Sequence, residues 1–333
     1  MLPRPYLLFL GDVRGAPLAK TAFGLRDWAP DAVVGQWRLP ASDIDLGLED
    51  LDAREAAARG ARALVIGVAP IGGAIQPSWI PCLLAALEAG LDIVSGLHSR
   101  LEDIGDIRIA AKRFGRTIYE VRRSDQAIPV ATGRRRSGKR LLTVGTDCAL
   151  GKKYTALAIA RALKTARVSA DFRATGQTGI MIAGKGVAID AVVADFIAGA
   201  AETLSPDADP DHWDIIEGQG ALFHPAYAGV TLGLIHGSQP DALVLCHDPD
   251  RTTLNGFPHF PVPSLEEAAR RYVEAARLTN PDVRLAGVSL NTSTLGRDAA
   301  EALMRTVGAE FGVPCFDPLK SDLTPLVERL RAW

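Results

Sequence analysis

"LLTVGTDCALGKKYTALAIARALKTA", residues 141–166, decides how the chain folds. Leu141 to Val144 form a buried strand, a glycine-bracketed loop follows, and Ala156, Leu157, Ala160 and Leu163 then recur at helical spacing. Strand, loop, helix is the setting of a phosphate-binding P-loop, in which backbone N–H groups and a helix N-terminus hold the anion and a lysine neutralises it. The usual spacing, G-x-x-x-x-G-K-[ST], is longer here by one residue between Gly145 and Gly151, and Lys152 comes directly after the second glycine. Lys152 is expected to stand exposed at the helix start, within reach of a phosphate oxygen. Lys153 occupies the place of the Ser or Thr whose hydroxyl binds Mg²⁺, and an ammonium cannot ligate a cation. Thr155 lies two residues onward, roughly 200° around the helix, and is a poor substitute. Magnesium is therefore not expected to be required, and the loop suits an anion whose phosphates stay intact.

The rest of the chain sets limits on its partners. At 333 residues, 47% hydrophobic and 23% charged, it is long enough for two globular domains and too apolar for disorder. Its 37 basic and 39 acidic residues leave a formal charge of -2, which gives no reason to expect a nucleic-acid or membrane surface. The expected partner is a small-molecule substrate, and a homo-oligomer is expected. Cys82, Cys148, Cys246 and Cys315 are scattered without paired metal-ligand spacing, so no metal site is expected and the thiols suit a cytoplasmic protein. The apolar run "YLLFLG" is too short for a signal peptide and reads as a first strand. The longest apolar stretch, Val187 to Ala201, is broken by Asp190 and Asp195 and reads as an amphipathic helix, not a membrane span.

Residues 61–97 alternate a strand, "ARALVIGVA", a helix, "PSWIPCLLAALEAG", and a strand, "LDIVSGL". This is the grammar of a parallel βαβ sheet. Gly72 and Gly73 follow the first of these strands, where open α/β sheets bind ligands or simply turn. The polar run "ATGRRRSGKR" (131–140) reads as a solvated linker. Beyond the phosphate loop, strands are expected at "VSADFRA", "WDIIE", "ALVLCH" and "LAGVSLN", with helices between. The fold class is α/β: an N-terminal Rossmann-like parallel-sheet domain, residues 1–133, and a C-terminal P-loop NTPase-like doubly wound domain, residues 134–333.

The chemistry concentrates after the loop. Glu217 ends a strand, and the glycines at 218 and 220 let a ligand approach; such a carboxylate can orient a metal or act as a base. His224 and His236 are weaker candidates, since a histidine among apolar residues is often a structural donor. Gln177, Thr178 and Gly179 are candidates to line the pocket beside the loop, and Asp190 is either a site residue or a helix cap.

"GTDCALGKKYTA" (145–156), "RATGQTGIMIAG" (173–184), "EGQGALFHPAYAGVTLGLIHGSQPDALVLCH" (217–247), "VIGVAPIGG" (65–73) and "SGLH" (95–98) occur in one order along nearly the whole chain. Together they resemble a family of two-domain P-loop proteins that includes the DgcN-type D-glutamate N-acetyltransferases. The loop itself resembles that of dethiobiotin synthetase. The first resemblance implies transfer of an acetyl group from acetyl-CoA to the amine of D-glutamate; the second implies that Asn291, ending "LAGVSLN", meets the adenine.

Chemistry then assigns roles. The backbone from Gly145 to Gly151, through Thr146, Cys148, Ala149 and Leu150, is expected to hold the CoA phosphates with Lys152 and Lys153, and Tyr154, Gln177, Thr178, Gly179 and Asn291 to complete the donor site. Glu217 is the first choice of base and Asp147 the second, and His224 or Gln219 donates to the thioester oxygen. Ser95, His98 and Arg100 are candidates for the acceptor's carboxylates, across a cleft between the domains. The rival is an ATP-dependent ligase or kinase resembling dethiobiotin synthetase; a partner-binding ATPase is a third class. Magnesium dependence separates both from an acetyltransferase.

Overall fold

The computed structural model describes residues 1–70, 73–123 and 127–333; Gly72 lies outside them. The chain forms two compact units, Met1–Asp125 with Gly176–Ala188, and Gln126–Thr175 with Ile189–Trp333.

In the first unit, β1 (Tyr6–Gly11), β2 (Val33–Arg38), β3 (Ala63–Ile66), β4 (Asp92–Ser95) and β5 (Ile118–Glu120) alternate with α1 (Lys20–Trp28), α2 (Ala53–Ala58), α3 (Ile80–Glu88) and α4 (Gly105–Phe114). The strands pair in the order β2-β1-β3-β4-β5, and all their pairings are parallel. Every residue of β1 and β3 is buried, as expected when helices cover both faces of a parallel sheet. Asp52 caps α2 through a capping box with Glu55, accepting from Arg54 N and Glu55 N.

The second unit opens with β6 (Lys139–Gly145), α5 (Lys152–Thr165) and β7 (Ala170–Arg173). The chain then contributes α6 (Gln177–Ala183) to the first unit, where the Thr178 and Thr21 hydroxyls lie 2.9 Å apart and Arg4 donates to Met181 O at 2.9 Å. It returns through α7 (Ile197–Leu204), β8 (Trp213–Ile216), α8 (Ala228–Ser238), β9 (Ala242–His247), the hairpin strands β10 (Thr253–Leu254) and β11 (Phe257–Pro261), α9 (Leu265–Arg277), β12 (Arg284–Leu290), α10 (Arg297–Phe311), β13 (Cys315–Phe316) and α11 (Thr324–Arg331). The large sheet has the order β13-β12-β9-β6-β8-β7 and is wholly parallel. With β6 central, the loop that follows it leaves the sheet where the connections divide to either side, which is where open α/β sheets bind ligands.

Two expectations need correction. The stretch Val187 to Ala201 is not one helix: the chain changes units after Ala188, Ile189 N is tied to Thr175 O at 3.0 Å, and short 3-10 turns precede α7. The arginine run is a solvated linker only in part: Arg134 and Arg135 are exposed, and Arg136 is not. Arg136 is buried, donating from Nη1 to Glu202 O (2.9 Å) and Ser205 O (2.7 Å), and from Nη2 to Gly237 O (2.6 Å) and Ser238 O (3.1 Å). One guanidinium thus satisfies terminal carbonyls of both α7 and α8, which pack so closely that a Cβ on Gly237 would lie 2.1 Å from Ala198 O. Burial pushes its pKa down to about 10. Arg136→Met should leave these carbonyls without donors and cost about 3 kcal/mol of stability, read as a lower urea midpoint.

Candidate active site

The phosphate loop is held open by its neighbours. Thr146 N donates to Cys246 O at 3.1 Å, and the Tyr272 hydroxyl donates to Gly145 O at 2.7 Å from α9. Ala149 (φ 54°) and Gly151 (φ 108°) both adopt positive φ, so the backbone curls into the concave turn that favours an anion. Gly151 precedes α5, and no side chain caps that helix. First-turn N–H groups are thereby left to something other than a capping side chain.

Lys152 departs from expectation: it is buried, with 7% of its surface exposed, and its Nζ donates to Asp147 O at 2.7 Å. Burial lowers its pKa, opposed by the thiols of Cys148 and Cys246 and by Asp147. Lys153 is half-buried, with its ammonium 4.8 Å from the centre of the Tyr154 ring. The Thr155 hydroxyl lies 2.8 Å from Ser289 Oγ and receives the Cys246 thiol at 3.5 Å. The same enclosure drives the Cys246 thiol up to about 11.

Asp147 is fully buried and heavily engaged. Its Oδ1 accepts from Cys148 N (2.6 Å), and its Oδ2 from Arg251 Nη1 (2.8 Å) and Asn255 N (2.8 Å). Arg251 also donates to Cys148 O at 2.6 Å. The turn and hairpin after β9 are therefore fastened onto the loop. Sequence reading missed Arg251, Asn255 and Tyr272; the available signal was a cation in the turn "DPDRTT" directly after a buried strand.

Glu217 follows β8 and is buried. Its Oε2 accepts from Thr175 N at 3.0 Å, and its carbonyl accepts from the Thr175 hydroxyl at 2.6 Å. Gly218 N donates to Thr143 Oγ1 at 2.9 Å; a Cβ on Gly218 would lie 1.7 Å from Thr143 O and 3.1 Å from Lys152 Cδ. Only glycine fits there, and this close approach sets Glu217 next to a residue touching the Lys152 stem.

His224 is buried. Its Nδ1 accepts from Ala226 N at 3.2 Å, which leaves the proton on Nε2 to donate to Asn255 O at 3.2 Å. Ligand atoms of Asp147, Cys148 and His224 lie within 4.8 Å of one another. As arranged, the Asp147 oxygens and both His224 nitrogens already serve hydrogen bonds. Gln219 is half-buried, its carbonyl accepting from Thr231 Oγ1 at 2.8 Å. The Thr146 hydroxyl meets His247 Nδ1 at 2.9 Å, and burial lowers the pKa of His247. Asn291 N donates to His247 O at 2.9 Å, and its Nδ2 to Asp248 Oδ2 at 3.3 Å.

Gln177, Thr178 and Gly179 lie on α6 in the first unit, where Gln177 packs against Gly96. Ser95 is buried and accepts from Leu97 N at 3.2 Å; His98 is exposed and packs on Gly73 (φ 64°). Arg100 sits among Glu102 (2.9 Å), Glu120 (3.5 Å) and Asp103 (3.9 Å). Asp190 is exposed in a 3-10 turn, and His236 is half-buried on α8.

Known proteins agree with this architecture. Residues 129–327 match a domain of unknown function described as the DUF1611 P-loop domain, and residues 33–124 match its Rossmann-like N-terminal domain. A Tritonibacter scottomollicae protein named D-glutamate N-acetyltransferase is 49% identical over 332 residues, covering 100% of both chains. A Pseudoalteromonas protein of the same name is 46% identical over 326 residues, 98% of each. The crystal structure of a DUF1611 family protein from Anabaena variabilis matches with a TM-score of 0.88 and 34% identity, over 99% of this chain and 100% of that one. Both halves of the fold, in this order and over this length, make the chain a member of the DUF1611 family.

Proposed function

We propose that the protein is an N-acetyltransferase that moves the acetyl group of acetyl-CoA to the amine of D-glutamate, its P-loop holding the CoA phosphates. The observation that carries this reading is a phosphate loop with lysine in the magnesium-hydroxyl position, in a chain similar along its whole length to two proteins named for that reaction. The nearby Thr155 hydroxyl supports it further, since that group is already paired with Ser289.

Acyl transfer requires a neutral amine, a proton acceptor, and donors for the oxyanion that develops on the thioester carbonyl. The amine nitrogen forms the new C–N bond, the C–S bond breaks, the base takes the ammonium proton, and the departing CoA thiolate is protonated. Glu217 suits the base better than Asp147, because protonating Asp147 would give up its ion pair with Arg251 and its bonds from Cys148 N and Asn255 N. The His224 Nε2–H is directed to Asn255 O, so donation to the thioester would require it to exchange that partner; Gln219 is the alternative donor. Among the described residues no helix is long and apolar enough to cross a membrane; the four free cysteines suit the reducing conditions of a cytoplasm.

Thiol release should survive excess EDTA, and no ADP should form when ATP is supplied with D-glutamate. Strict magnesium dependence with stoichiometric ADP release would instead favour the ligase or kinase.

A further inference from the structure

The phosphate loop accounts for only the charged centre of the donor. If Glu217 is the base, the thioester has to end on the β8 side of β6, because Glu217 follows β8 and β8 neighbours β6. On that side the chain continues from Glu217 to His224 and Tyr227. The His224 ring stacks on Tyr227 at 4.7 Å and meets Phe257 edge-on at 4.9 Å, and Phe260 follows 6.2 Å further. Tyr227 and Phe260 are 51% and 48% exposed, among the few large apolar side chains that the described residues leave so open.

This aromatic group is tied to the loop. Asn255, between β10 and β11, donates its N–H to Asp147 of the phosphate loop and accepts from His224 of the segment after β8, so the hairpin carrying Phe257 and Phe260 is tied to the loop through one backbone group and to the His224 segment through the other. A shelf of aromatic side chains that starts within 4.8 Å of the loop's Asp147 and Cys148 and ends in the half-exposed Tyr227 and Phe260 has a chemistry that phosphates do not require. It suits a flexible chain of methylenes, a gem-dimethyl group and amides. We infer that Tyr227, Phe257 and Phe260 seat the pantetheine arm of the acyl-CoA, an assignment that rests on the acetyltransferase reading above.

The test is calorimetric titration of CoA and of ADP into the parent and into Tyr227→Ser and Phe260→Ser, both exposed positions. Each serine variant should bind CoA about tenfold more weakly, as expected for losing a half-buried aromatic contact, while ADP affinity stays at the parent's value. Phe260→Leu, which keeps apolar surface, should recover part of the loss. Unchanged CoA affinity in both serine variants overturns the assignment. So does an equal loss for ADP, which would put the adenine on the shelf. A parent that binds CoA but transfers no acetyl group would sink the function while leaving the shelf supported by its own titrations. A parent that does not bind CoA would sink both.

Discussion

Lys152→Ala is expected to weaken CoA binding by about tenfold to a hundredfold, the scale of a lost charged hydrogen bond to phosphate, and to lower the melting temperature as well. The second effect arises because Lys152 is buried, contrary to the expectation that it stands exposed. Its removal strips the donor from Asp147 O and empties the space beside Gly218. Lys152→Met separates the two contributions, since it keeps the stem and removes the charge; it should recover the part of the stability lost to the emptied space, not the part lost with the donor to Asp147 O, and not affinity. Burial lowers the pKa of Lys152 in the free protein, whereas a bound anion favours the protonated amine. Affinity should therefore fall as pH rises through that lowered pKa, earlier than for an exposed lysine. Calorimetric titration across pH, beside thermal melts of both variants, checks this. Parent-like affinity in Lys152→Ala would remove the lysine from the phosphate site.

Glu217→Gln should slow acetyl transfer by roughly 10²-fold or more, the scale of lost general-base assistance, while leaving CoA affinity near the parent's. The amide keeps an oxygen that can accept from Thr175 N, so the local fold has no reason to change. Turnover of the parent should rise with pH as the acceptor amine loses its proton. A fully active Glu217→Gln enzyme would contradict the base assignment and turn attention to Asp147, despite its three hydrogen-bond donors.

Local patterns in the sequence carried much of this account. Apolar runs gave the parallel strands, and Gly145 to Lys152 between a strand and a helical repeat marked the phosphate loop, because the signal there lies in contiguous residues. Contacts between distant segments left no such trace. Arg251 and Asn255 reach Asp147 across more than a hundred residues, and Arg136 resembles linker until α7 and α8 bring their carbonyls to it. Likewise, "GQTGIMIA" reads as the next piece of the second domain, yet it folds into the first unit as α6. Burial of Lys152 was illegible for the same reason: it depends on Gly218, whose lack of a side chain lets β8's exit lie against the lysine stem.

The acetyl transfer itself is measured by incubating the purified protein with acetyl-CoA and D-glutamate, following thiol release with a chromogenic reagent and identifying the product by mass. Stoichiometric free thiol and N-acetyl-D-glutamate are expected, with L-glutamate a poorer acceptor because a chiral pocket presents the amine of only one hand. The absence of any acetylated product from D-glutamate or from a panel of other amino acids would contradict the acetyltransferase reading.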